Sequence, residues 1–185
     1  PEVLKSKNVI GFADSLFNQG DYYEAHLWYR YHLYLYPKTP NRDEIYLRIG
    51  ECFQRGRQWD DAEYTFGQII QEFPKSPLAA EASYRIGQGY FLSGDYTKAI
   101  ISFDDTMSEY SKAKFKSDAM YAKGLALINK GEWDSASSEF AKLIDEQPGS
   151  DLANQAKVMQ EMAQEGKELP RKSPLLAATL SAMLP

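Results

Sequence analysis

The sequence predicts an all-α protein, an α-solenoid of four helix pairs closed by a C-terminal capping helix. Alanine recurs at intervals of 37 residues, at Ala25, Ala62, Ala99 and Ala136. An aromatic residue follows each alanine four positions later, and a glycine-containing turn precedes each alanine. A fixed period of this length, with small and aromatic positions in constant register, is typical of stacked helical repeats.

Counted from the alanine, four positions of each unit keep the same register. They are a small residue twelve before the alanine, an aromatic three before, an aromatic four after, and a proline or serine twelve after: Ala13, Gly50, Gly87, Gly124; Tyr22, Trp59, Tyr96, Trp133; Tyr29, Phe66, Phe103, Phe140; and Pro37, Pro74, Ser111, Pro148. The small residue lets the second helix of a unit cross the first closely, and the aromatic fills the space between them. Proline ends the second helix because it lacks the backbone N–H donor.

The elements follow in order from these positions. Helix pairs are expected at 5–18 with 22–36, 42–55 with 59–73, 79–92 with 96–110, and 116–130 with 133–147. The turns between paired helices contain Gly20, Gly56, Gly94 and Gly131, which we expect in the left-handed conformation that ends a helix. A ninth helix at 150–166 has no second helix and is predicted to cap the stack.

Two regions are therefore predicted, a superhelical domain at 1–166 and a linker with an apolar tail at 167–185. The apolar run 174–185 has twelve residues. A membrane-spanning helix needs about 20, so the run cannot span a bilayer alone. We interpret it as the truncated start of a region after Pro174 that associates with a membrane.

The repeated positions resemble the tetratricopeptide repeat, whose pattern runs from a large residue through a Leu-like residue, Gly or Ala and an aromatic to Ala, an aromatic and Pro. The second unit supplies Tyr46, Ile49, Gly50, Phe53, Ala62, Phe66 and Pro74. The first unit is looser, and in later units Ser83, Lys123 and Ser111 depart from the pattern. The resemblance covers residues 5 to about 165. It implies a right-handed superhelix whose first helices line a concave groove, and a function in binding a protein or peptide partner.

The length of the unit indicates a subtype. A tetratricopeptide unit usually has about 34 residues, whereas this unit has 37, with the extra residues after the second helix. Such units, with Tyr/Phe-Pro-x-Ser-Pro connections, are similar to bacterial cell-envelope proteins. Examples are the periplasmic partner of the Tol-Pal system and the lipoprotein of the outer-membrane assembly machine. This resemblance implies a location in the cell envelope, either periplasmic or membrane-anchored.

The resemblance also implies a peptide-binding groove, whose positions mix large apolar side chains with amides and acids. Those positions are Phe17, Leu47, Glu51, Gln54, Tyr84, Gln88, Phe91, Tyr121, Leu125 and Ile128, with Asp14 and Asn18 beside them. Arg48, Arg55 and Arg85 lie nearby, but the groove positions themselves carry no Lys or Arg that would clamp a carboxylate. We therefore expect the groove to bind an apolar segment.

The second helix of the first unit has an unusual excess of aromatic residues. Trp28, Tyr31 and Tyr34 fall on several of its faces, and one neighbouring helix cannot cover them all. Either the helix packs on both sides, or these residues form an aromatic patch for a partner or a second copy. The alternative function is accordingly a self-associating spacer of a membrane-anchored protein, with contacts through this Tyr-rich helix or the C-terminal tail.

The composition indicates neither an enzyme nor a nucleic-acid-binding protein. The net charge of −5 disfavours a nucleic-acid footprint. His26 and His32 are six residues apart, and neither has a partner at metal-ligand spacing. We expect His26 on the surface, His32 in a packing position and Cys52 as a buried, inert thiol. No catalytic residue, metal or cofactor is predicted.

Overall fold

The computed structural model of the chain describes residues 6–112 and 114–166, and within them it contains nine α-helices and no strands. The helices are α1 (Ser6–Gln19), α2 (Tyr22–Leu35), α3 (Arg42–Arg55), α4 (Trp59–Glu72), α5 (Leu78–Ser93), α6 (Tyr96–Glu109), α7 (Phe115–Lys130), α8 (Trp133–Glu146) and α9 (Asp151–Gly166). Each expected helix is present, with ends that differ by at most one residue. The predicted linker and tail at 167–185 lie outside the described residues.

The helices stack in chain order. Each packs against the next, and the first helix of one pair also contacts the first helix of the following pair, α3 with α5 and α5 with α7. This arrangement confirms the predicted solenoid. None of the helices that the structure describes is both long and apolar enough to cross a membrane.

Glycine in the first helix allows the close crossing of each pair. A Cβ atom placed on Gly87 would lie 2.6 Å from a ring carbon of Phe103, a distance far inside van der Waals contact. The equivalent pairs are Gly50 with Phe66 and Gly124 with Phe140, at 2.4 and 2.5 Å. The alanine and aromatic positions of the repeat are buried with them, so the predicted packing role of these positions is confirmed.

The turns between paired helices follow the repeat register rather than the positions of the glycines. Gly20, Gly94 and Gly131 have φ between +83° and +88°, as expected. The prediction for Gly56 is wrong, because its φ is −76° and Arg57 has the positive φ of 58° instead. Arg57 stands five residues before Ala62, as the other three glycines stand before their alanines. The backbone of the turn therefore sets which residue becomes left-handed, and Gly56 is one position early.

The second helices end in the same way with or without a following proline. The residue after α6 is Tyr110, whose amide donates to the Thr106 carbonyl at 3.0 Å, and it precedes Ser111. Phe73, which precedes Pro74, makes the same bond to the Ile69 carbonyl at 2.9 Å. Proline is therefore compatible with this ending without being required for it.

Helix α9 is the last helix that the structure describes, and it closes the described stack. Its inner face buries Ala153, Ala156, Met159 and Ala163 against α7 and α8. The outer face exposes mainly polar side chains: Asn154, Gln155, Lys157, Glu161, Gln164 and Glu165. Glu161 occupies the position at which the preceding first helices have glycine or, in α1, alanine, so the close crossing of a second helix is not available there. The predicted cap is confirmed.

Candidate functional site

The predicted groove positions divide into side chains at the surface and side chains in the core. Partly exposed side chains are Phe17, Leu47, Tyr84, Gln88, Phe91 and Tyr121. Buried side chains are Glu51, Gln54, Leu125 and Ile128. The accessible part of the groove is therefore mainly aromatic and aliphatic, and Gln88 contributes its one amide.

The aromatic side chains of the groove are held in fixed positions. The Tyr84 ring stacks on Phe115 with a centroid separation of 5.6 Å, and its hydroxyl accepts a hydrogen bond of 3.1 Å from Gln88 Nε2. Burial raises the pKa of Tyr84 to about 12, so its hydroxyl stays neutral at physiological pH. Phe91 meets the edge of Tyr96 at 5.5 Å. Because these rings are already ordered, binding of a ligand costs little side-chain entropy at these positions.

The arginines at the N-terminal half of the groove are engaged by acidic residues of the chain itself. Arg85 contacts Glu51 at 2.8 Å and Glu81 at 2.9 Å, and Arg48 contacts Glu51 at 3.0 Å. The Arg55 guanidinium lies over the Phe17 ring, 5.3 Å from its centroid. Two of the three guanidinium groups are therefore neutralised, which leaves no paired basic clamp for a peptide carboxylate.

The buried groove positions lie at the seam between successive first helices. Gln54 on α3 donates a hydrogen bond of 3.2 Å from Nε2 to the Arg85 carbonyl on α5. Ile128 is the equivalent residue of α7 and is only 1% exposed, in a cluster that includes Met159 of the capping helix. The structure thus contradicts the prediction that Ile128 faces a groove ligand, because the next helix in the stack covers its side chain.

The predicted aromatic patch lies on the outer face of α2. Tyr34 is 80% exposed and Tyr31 is 44% exposed, while the half-buried Trp28 meets the edge of Phe12 at 4.9 Å. The helix packs against both α1 and α3, as the alternative of packing on both sides requires, while Tyr31 and Tyr34 remain exposed beyond these contacts. Beside the patch the structure also exposes Phe12, Leu27 and Leu35, which were not predicted to belong to it. Comparing α2 position by position with the other second helices would have found Leu35, because each of the others has glutamate there.

The remaining candidates for chemistry have packing roles. Cys52 is buried, as expected, and burial raises the pKa of its thiol to about 12. The expectation for His26 is wrong: its side chain is buried beside the Phe53 ring, 4.7 Å between centroids, and burial lowers its pKa. No group of histidine, cysteine and carboxylate residues able to hold a metal ion occurs in the described part of the chain.

Comparison with protein families identifies the repeat. The tetratricopeptide repeat model matches residues 44–76, 81–113 and 118–150, which cover the second, third and fourth helix pairs except for the first two or three residues of each pair. The first pair has the same helical arrangement without a sequence match. No curated protein matches the chain in sequence.

Solved structures similar to this chain are helical repeat proteins. A tetratricopeptide repeat protein from Parabacteroides merdae ATCC 43184 has a TM-score of 0.68 and 16% identity, and the match covers 96% of this chain and 66% of that one. The pilus biogenesis factor PilW has a TM-score of 0.66 and 16% identity, with 83% and 68% covered. MamA has a TM-score of 0.61 and 23% identity, with 88% of each chain covered. At these identities the likeness establishes the shared fold alone.

Proposed function

The chain belongs to the tetratricopeptide repeat family, and from that premise we propose that its concave groove binds an apolar peptide segment of a protein partner. Tetratricopeptide repeats generally mediate protein–protein interactions, and the family is generally non-enzymatic. The observation that carries the proposal is the row of partly exposed rings along α1, α5 and α7, namely Phe17, Tyr84, Phe91 and Tyr121, with Leu47 of α3 between them.

The charge of the groove favours an uncharged segment over an acidic one. Glu51 and Glu81 neutralise Arg48 and Arg85, so a ligand carboxylate would have to displace existing ion pairs to reach these guanidinium groups. An apolar side chain meets no such competition. Its binding also buries apolar surface of Tyr84, Phe91 and Tyr121. Burial of apolar surface contributes a favourable free energy of about 25 cal/mol per Å².

A selection from a random peptide library, with the full chain as the target, tests this proposal. We expect the selected peptides to be rich in leucine, isoleucine and phenylalanine. Replacing Tyr84 and Tyr121 together by alanine should weaken the selected peptide on the order of tenfold or more, as truncation of aromatic anchors does. Calorimetric titration measures the affinity, and thermal unfolding checks that the variant is folded.

Two further variants make the result specific to the groove. Tyr64→Ala removes a tyrosine that is 69% exposed on the outer face of α4 and should leave the affinity unchanged. If the double variant unfolds, Leu47→Ser replaces it. This substitution tests the groove without disturbing the stack of Tyr84 on Phe115. Selection of acidic peptides, or unchanged binding in both groove variants, would contradict the proposal.

We further propose that this module works in the bacterial cell envelope, periplasmic or membrane-anchored. The support is the 37-residue unit and its proline-containing connections, which resemble those of envelope proteins. Fractionation of cells that express the full-length protein, with protease treatment of intact cells, spheroplasts and lysed spheroplasts, tests it. Recovery of the protein in the cytosolic fraction alone would reject this placement.

A further inference from the structure

We propose that the apolar segment bound in the groove carries one lysine or arginine side chain, which pairs with Asp118 of α7. This inference rests on the proposed function, because it specifies the chemistry of the ligand of that same groove. It concerns the C-terminal half of the groove, where Tyr84, Phe91 and Tyr121 lie on α5 and α7.

Asp118 lies on the same face of α7 as the groove residue Tyr121. It precedes Tyr121 by three residues and Leu125 by seven, and both spacings keep side chains on one face of a helix. Its charge also acts on the neighbouring helix, since burial and, after it, the Asp118 carboxylate raise the pKa of Tyr84. The carboxylate is therefore close to the rings that we expect the ligand to contact.

The repeat shows which partner Asp118 lacks. The equivalent residue of the third unit is Glu81, whose carboxylate lies 2.9 Å from the guanidinium of Arg85, four residues later. The fourth unit has Ala122 at the position of Arg85. None of the ion pairs among the described residues includes Asp118. The fourth unit thus keeps the acid and omits the base.

The surroundings of the three equivalent acids differ. Glu44 of the second unit is exposed to water, and Glu81 of the third unit is paired with an arginine. Asp118 is the one of the three that is both partly buried and without a basic partner in the part of the chain that the structure describes. A ligand cation therefore has a vacant position beside this acid alone.

The lysine one helical turn before Asp118 does not complete the pair. Burial raises the pKa of the Asp118 carboxyl, and the charge of Lys114 offsets only part of this effect. The Lys114 ammonium lies over the Phe115 ring, 6.0 Å from its centroid. A cation supplied by the ligand would stabilise the carboxylate that burial disfavours. The aliphatic part of a lysine or arginine side chain would at the same time pack along the groove rings.

Calorimetric titration of peptides selected from the random library tests the inference. We expect these peptides to carry one lysine or arginine at a constant distance from their apolar residues. Asp118→Asn should weaken such a peptide about three- to tenfold, an effect between those of an exposed and a buried ion pair. It should not change the affinity of the same peptide with glutamine in place of its basic residue.

Ala122→Arg is a second variant, and it takes its new residue from the third unit. It supplies Asp118 with the intramolecular partner that Glu81 has, so it should weaken the basic peptide to a similar extent. A purely structural role of Asp118 predicts no loss of binding in this variant. The matched control Asp105→Asn removes an exposed carboxylate of α6 and should leave the affinity unchanged.

Two results would overturn the inference. They are selected peptides without a basic residue, and a folded Asp118→Asn chain that binds the basic peptide as tightly as the unaltered chain. If Asp118→Asn unfolds, unchanged binding by Ala122→Arg overturns the inference instead.

Failure of the proposed function has a different signature. If binding depends on Tyr84 and Tyr121 but not on Asp118, the groove still binds an apolar segment and only the pairing is wrong. A library that yields no binding peptide, or peptides that bind equally well without the two tyrosines, overturns the proposed function and this inference together.

Discussion

At the scale of the residue, the stack depends on positions where a methyl group does not fit. Gly50, Gly87 and Gly124 each lie under the ring of a phenylalanine from the paired helix. In the first unit the equivalent residues are Ala13 and Tyr29, both buried, and the Tyr29 hydroxyl donates to Asp14. In each unit, therefore, a small residue of the first helix is paired with an aromatic ring of the second helix.

Gly87→Ala should lower the free energy of unfolding by about 1–3 kcal/mol, because the added methyl overpacks the Phe103 ring. Gly89 lies on the same helix and is buried, but a Cβ atom placed on it would meet no neighbouring side chain within 4 Å. Gly89→Ala should instead raise the free energy of unfolding by about 0.5–1 kcal/mol, the helix preference of alanine over glycine. Urea unfolding measures both. Equal effects of the two substitutions would show that the crossing does not depend on the glycine.

The role of a single residue was predictable where the repeat register determines it. It was not predictable where contacts with a neighbouring helix determine it. The roles of the glycines and phenylalanines at the repeated positions followed from the 37-residue register alone. The prediction for Gly56 rested on residue type, whereas the register shows that Arg57 occupies the left-handed position. His26 was expected at the surface, yet Phe53 of the following helix covers it, a contact between elements that the pattern of one helix does not contain.

At the scale of the element, two positions change together from unit to unit. The Leu-like position of the first helix faces a position of the second helix three residues after the alanine. In the second, third and fourth units the pairs are Ile49 with Thr65, Ile86 with Ser102, and Lys123 with Glu139. The Lys123 ammonium lies 3.4 Å from the buried Glu139 carboxylate and 2.6 Å from Asp104. An ion pair thus replaces an apolar contact in the fourth unit, which accounts for the departure of Lys123 from the repeat.

Lys123→Ile should therefore destabilise the chain by about 2 kcal/mol, since it leaves the buried Glu139 carboxylate with Lys142 as its remaining ion-pair partner. The double substitution Lys123→Ile/Glu139→Ser installs the pair found in the third unit and should recover most of the loss. A coupling energy of about 1–3 kcal/mol in the double-mutant cycle is expected. Strictly additive effects would mean that the two side chains do not act as a pair.

The helices themselves were predictable to within one residue because turn, alanine and helix end recur in fixed register. The accessibility of the groove positions was harder to predict from the sequence. Their assignment placed each residue on a face of its own helix, but α5 covers Gln54 and the capping helix covers Ile128. Burial at these seams depends on how closely successive units approach, which the one-helix pattern does not specify.

At the scale of the whole molecule, the groove and the two ends of the solenoid have different character. The groove is lined with ordered rings and internally neutralised arginines, the α9 end is polar, and the α1–α2 end is apolar. The proposed function therefore assigns the partner to the groove.

Binding of an apolar segment in the concave groove is tested most directly by the methyl NMR spectrum of the leucine-labelled chain titrated with a library-selected peptide. We expect shifts of the Leu47 methyl signals, with the signals of Leu27 and Leu35 on the outer face of α2 unchanged. Shifts confined to Leu27 and Leu35, with Leu47 unaffected, would contradict groove binding.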